Sequence, residues 1–101
     1  MTVVGVRDAP TQPIGEVRWR RSVRVRGVIT TMRVRPWAEG TSSLECTLVD
    51  DTGGITLVFL GRRRIAGIEL GRGLTAEGMV SENRGRLVIL NPLYTLHVQR
   101  P

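Results

Sequence analysis

Apolar and polar residues alternate along much of this chain with a period of two, the spacing of a β-strand with one face on a core and the other on solvent. The clearest stretch is Val23-Arg24-Val25-Arg26-Gly27-Val28-Ile29. A regular strand over residues 22–34 puts Val23, Val25 and Ile29 on one side and Arg24, Arg26 and Val28 on the other. Gly27 interrupts it, and a glycine inside a strand often marks a bulge or a barrel corner. Pro36-Trp37-Ala38-Glu39-Gly40 reads as a loop. A second strand follows with Leu44, Cys46 and Leu48 inward and Glu45, Thr47 and Val49 outward. Residues 50–54 have hairpin-turn chemistry, with Asp side chains placed to bond nearby backbone N–H groups. The third strand, residues 55–60, is apolar on both faces apart from Thr56, so the pattern leaves the direction of Phe59 open.

The next segment, residues 61–71, fits one or two helical turns with Ile65 and Ile68 inward and Gly71 as the stop. It is too short for the crossover helix of a parallel sheet. Strands four and five, residues 74–80 and 86–90, are joined by the polar hairpin Ser81-Glu82-Asn83-Arg84-Gly85. Asn91-Pro92 breaks the last strand, and residues 93–98 continue it as an extended tail. At the other end, residues 1–13 read as a flexible arm, and Ile14-Gly15-Glu16-Val17 as a single apolar turn covering one end of a barrel. Residues 14–98 then form one domain, with 99–101 as a tail.

Charge changes this picture. The chain of 101 residues carries 15 basic residues against nine acids, a formal balance of +6, and every basic residue is Arg. Arg offers bidentate bonds to phosphate and stacks on bases, although a G+C-rich coding sequence produces the same preference over Lys. Seven arginines lie between Arg18 and Arg35, with no acid between Glu16 and Glu39. That local positive field points to a polyanionic partner. Catalytic chemistry has little to work with. Cys46 is the only cysteine and His97 the only histidine, which leaves no internal disulfide, no Cys-based metal cluster and little scope for a nucleophilic triad. Cys46 reads as a small buried hydrophobe. Asp50 and Asp51 are explained by their turn, so no metal and no cofactor is assigned. No stretch approaches the roughly 18 apolar residues of a membrane span, nor is there an apolar run of signal-peptide length. A cytoplasmic, non-enzymatic protein is the expectation.

Five short strands, grouped three, short helix, two, fit an all-β fold: a five-stranded Greek-key barrel of the OB type with one short helix between strands three and four. The runs Val23 to Ile29 and Leu48-Val49-Asp50-Asp51-Thr52-Gly53-Gly54-Ile55, with Gly78-Met79-Val80 and Asn91-Pro92-Leu93-Tyr94, resemble the anticodon-binding-like OB-fold family. That family includes the wedge domains of branch-migrating helicases and the anticodon domains of class II aminoacyl-tRNA synthetases. The chain looks still closer to small stand-alone OB-fold proteins of actinobacteria. The resemblance covers residues 14–98 and implies a nucleic-acid-binding barrel. It departs at strand two, where Glu45 and Thr47 stand in place of an outward aromatic.

On this reading Arg24 and Arg26 are the first candidates for phosphate contacts, because a guanidinium row on a strand can track a backbone. A solvated face with ion pairs to neighbouring strands is the alternative. Arg33 and Arg35 flank the first loop beside Trp37, which either stacks a base or folds back over the barrel end. Trp19 suits packing on the arm. Arg62, Arg63 and Arg64 at a helix N-terminus oppose the helix dipole, so stability does not account for them. Arg84 lies in a hairpin loop where OB barrels often meet nucleic acid. The leading expectation is single-stranded DNA or RNA as partner. The runner-up is a protein-interaction adaptor using a barrel face or strand edge, and a third reading is an accessory domain of a larger nucleic-acid enzyme complex.

Overall fold

The computed structural model describes residues 10–98; the rest of the expected arm, residues 1–9, and the tail, 99–101, lie outside the described residues. Six strands form one sheet that closes on itself: β1 (Ser22–Ala38), β2 (Thr41–Asp50), β3 (Gly53–Leu60), β4 (Gly73–Asn83), β5 (Arg86–Leu90) and β6 (Leu93–Leu96). The order is β1-β2-β3-β5-β4-β6, with β1 also paired to β4. All pairings are antiparallel except β3 with β5. β5 and β6 lie on the same side of β4, with Val80 opposite Ile89 and Glu77 opposite Leu93. They act as one strand broken at Asn91-Pro92, which makes the closed ring five-stranded and OB-like.

β1 serves two neighbours because it changes partner at Gly27-Val28. Residues 22–28 pair with β4 and residues 28–38 with β2, so that Val28 stands opposite both Gly73 and Val49. At the change Gly27 is pressed against β2, where an added Cβ would sit 2.5 Å from the Val49 carbonyl oxygen. Only glycine allows backbones so close. The register then slips between Ile29 and Thr31, a bulge of the kind that bends a strand around a barrel.

The expected inward residues fill the core. Val23, Val25, Ile29, Leu44, Cys46 and Leu48 are buried, and Ile55, Leu57, Leu74 and Ile89, whose direction the sequence left open, join them. Phe59 also points inward, edge-on to Tyr94 with ring centroids 5.8 Å apart. A 3-10 turn at Ile14–Glu16 buries Ile14. It is tied to the β2–β3 turn by Ile14 N–H donating to Asp50 Oδ2 at 2.9 Å and Gly15 N–H to Thr52 Oγ1 at 2.8 Å. Just before it, Gln12 N–H donates to the Arg24 carbonyl.

Two expectations fail. Residues 61–72 form turns, not a helix. Gly61, Gly67 and Gly71 have φ of 75°, 85° and 85°, outside the helical range. Both ends are also held by tertiary bonds, Gly61 N–H to the Ser42 carbonyl and Gly71 N–H to the Ile29 carbonyl. Ile65 and Ile68 are buried without a helix to carry them. The supposed loop at residues 36–40 is mostly strand as well. β1 runs to Ala38 and only Glu39-Gly40 turns. Pro36 is tolerated because β4 pairs only with the first part of β1, leaving an edge at which no donor is missed.

Candidate nucleic-acid interface

The β1–β2 hairpin and the β4–β5 turn face each other across a groove of about 310 Å³, lined by Arg35, Pro36, Trp37, Glu45, Arg84 and Arg86 among others. Local geometry places each of them. Trp37 is the extra residue of a second bulge, between the Pro36–Ser42 and Ala38–Thr41 pairs, and such bulges re-aim a side chain. It is half-buried and outside the core cluster. Arg84 and Gly85 form a two-residue turn between the paired Asn83 and Arg86, with φ of 56° and 79°. Positive φ at both positions is the type I′ geometry that matches hairpin twist.

The floor is charged. Glu45 is on the outward face of β2, directly across from Arg33. Its side chain is only 7% exposed, with Arg86 Nη2 at 3.3 Å and Arg35 Nε at 3.9 Å. Arg86 also reaches Thr56 Oγ1 at 3.4 Å. Ser43, opposite Arg35, is fully buried and its hydroxyl has no hydrogen-bond partner.

Of the residues singled out from sequence, Arg35, Trp37 and Arg84 meet in this groove. Arg33 is exposed on the same strand face as Arg35, outside the lining. Arg62, Arg63 and Arg64 are exposed and begin one strand away: Arg63 Nη1 donates to Ser42 Oγ at 3.3 Å, and Ser42 pairs with Pro36 at the groove lip. They lie in a turn, so no helix dipole acts on them. Arg24 and Arg26 belong to the half of β1 that pairs with β4, and neither lines the groove. Arg24 Nη2 donates to both carboxylate oxygens of Glu77 at 3.0 Å, with its side chain 11% exposed. Arg26 is exposed opposite Thr75. Trp19 is exposed, with the Arg20 guanidinium 4.3 Å from its ring centroid.

Glu45 and Arg86 are the charged groove residues that sequence reasoning missed. Strand alternation had already turned Glu45 outward, and Arg86 opens β5 immediately after the hairpin. Nothing local shows that two residues 41 positions apart share an ion pair.

Three titratable groups are shifted by their surroundings. Burial, reinforced by the neighbouring Glu45 charge, pushes the Cys46 thiol up to about 11. Asp50 is held down to about 2, chiefly by the Ile14 N–H and then by the Thr52 hydroxyl. His97 is lowered by burial and by the charges of Arg26 and Arg72. Its ring pairs with Thr75 Oγ1 at 2.8 Å. Among the described residues, no three His, Cys, Asp or Glu side chains gather as a metal would require.

No protein-family model matches the chain, and no curated protein sequence does. Among solved structures it is similar to the solution NMR structure of a replication factor A related protein from Methanobacterium thermoautotrophicum. The TM-score is 0.61 and the identity 15%, over 87% of this chain and 91% of that one. The likeness is one of fold, and with the closed five-stranded ring it makes this chain an OB-like β-barrel.

Proposed function

We propose that this protein is a non-enzymatic binder of single-stranded nucleic acid, DNA or RNA, of the kind its sequence resembles among small actinobacterial OB-fold proteins. One observation carries the reading: Trp37 sits in a groove whose walls are Arg35, Arg84 and Arg86. Aromatic faces that stack bases, set among cations that meet phosphates, are how single strands are held without base-pair readout. Arg33 and Arg62 to Arg64 extend the positive surface beyond the groove. The similar protein of known structure is described as replication factor A related, which agrees with this assignment.

The test is fluorescence anisotropy of labelled single-stranded and duplex DNA and RNA at two salt concentrations. Trp37→Ala should weaken single-strand binding with little change in salt slope, because stacking releases no counterions. Arg24→Ala with Arg26→Ala should leave that slope unchanged, because Arg24 is spent on Glu77 and neither residue lines the groove. Failure of every oligonucleotide to bind at low salt defeats the proposal. A second reading, a protein adaptor, is favoured by one feature: Met79, Leu90 and Leu93 are exposed on neighbouring strands β4, β5 and β6. Under that reading neither Trp37→Ala nor the salt concentration matters to the partner.

A further inference from the structure

Resting on the nucleic-acid reading above, we infer that the groove takes a guanine base and that Glu45 selects it. A groove that met only phosphates would gain nothing from a buried carboxylate, since like charges repel and burial forfeits solvation. Glu45 nevertheless stands in the floor with its side chain only 7% exposed. Its oxygens are incompletely used. Oε1 has Arg86 Nη2 at 3.3 Å, while Oε2 has Arg35 Nε only at 3.9 Å, beyond hydrogen-bond range. A carboxylate can accept about four hydrogen bonds. Arg35 and Arg86 in turn hold planar forks with N–H groups left to donate.

The floor therefore offers a pair of acceptors flanked by two donor forks, with Trp37 in the same groove. Guanine complements that pattern on both sides. Its N1–H and N2 amine are adjacent donors that meet a carboxylate through two parallel bonds, and its O6 and N7 are the acceptors that arginine takes bidentately. Adenine and cytosine present a carboxylate with one exocyclic amine, thymine and uracil with one ring N–H. Stacking on Trp37 supplies the share of affinity that does not depend on the base. A volume of about 310 Å³ is at the small end of ligand sites and suits one unpaired base. Phosphates stay with Arg33 and Arg84, neither of which forms an ion pair with the carboxylate.

The experiment compares labelled oligo-dT with the same strand carrying one central dG, dA, dC, inosine or 7-deazaguanine, by anisotropy at low salt on the unaltered protein. The dG strand should bind about tenfold more tightly than oligo-dT, the discrimination of one bidentate pair. Inosine, which lacks the N2 amine, should lose most of that gain, and 7-deazaguanine part of it. Glu45→Gln should bring the dG and oligo-dT strands to equal affinity. Equal binding of the dG and dT strands overturns the inference while leaving the nucleic-acid reading standing. So does a dG preference that inosine keeps or that survives Glu45→Gln. Binding of no oligonucleotide removes the underlying reading instead. Should Glu45→Gln fail to fold, the dG and inosine strands decide on the parent protein.

Discussion

Arg84 ties stability to binding in opposite senses, and Arg84→Asn separates them. The Arg84-Gly85 turn holds both residues at positive φ, 56° and 79°. A side chain other than Gly, Asn or Asp loses roughly 1–2 kcal/mol in the left-handed region, and Asn-Gly is the preferred pair for this turn. The substitution should therefore recover about 0.5–1 kcal/mol, a rise in Tm of roughly 2–8 °C for a domain of this size. Binding should move the other way. With Arg35 and Arg86 holding the base, Arg33 and Arg84 are left to meet phosphates. Two phosphate contacts on a single strand give a slope of log affinity against log salt of about −1.4. Without Arg84 the slope should fall to about −0.7, and affinity at about 50 mM salt should drop roughly eightfold. Scanning calorimetry reads the first effect and anisotropy over a salt series the second. A variant that is more stable but keeps the parent's slope shows that Arg84 meets no phosphate. One that melts earlier refutes the assigned turn geometry.

Asp50 makes the protein acid-sensitive. Its folded pKa of about 2 lies below its ordinary 3.8, so its contribution is complete above about pH 4–5 and is lost as pH falls toward 2. Asp50→Asn should lower Tm at neutral pH and flatten the acid limb of a Tm-against-pH curve; an unchanged acid limb contradicts the tie to Ile14. Cys46, buried with its thiol raised to about 11, should react with a thiol reagent only as fast as the protein opens. Rapid stoichiometric labelling of folded protein would show that the core at β2 is exposed.

What the sequence determined by itself is what depends on neighbours two residues apart. Alternation assigned the inward set of β1 and β2, turned Glu45 outward, and marked hairpins at residues 50–54 and 81–85, which tighten in the structure to two-residue turns at Asp51-Thr52 and Arg84-Gly85, because side-chain direction and turn type are local properties of the backbone. Gly27 was visible as an interruption for the same reason. Tertiary structure decided which charges are free. Arg24 and Arg26 look alike in sequence, yet the register of β1 on β4 sets Glu77, 53 residues away, against Arg24 and leaves Arg26 in solvent. Arg86 and Glu45 come together across 41 residues by closure of the barrel, and a period-two pattern carries no information on closure. At residues 61–72 the local preference for a helical turn gave way to bonds with Ser42 and Ile29 and to three glycines at positive φ. Nearby Trp37, which alone reads as a loop residue, joined β1 because β2 pairs with the residues on both sides of it, Pro36 and Ala38, and as the unpaired residue of that bulge it lines the groove.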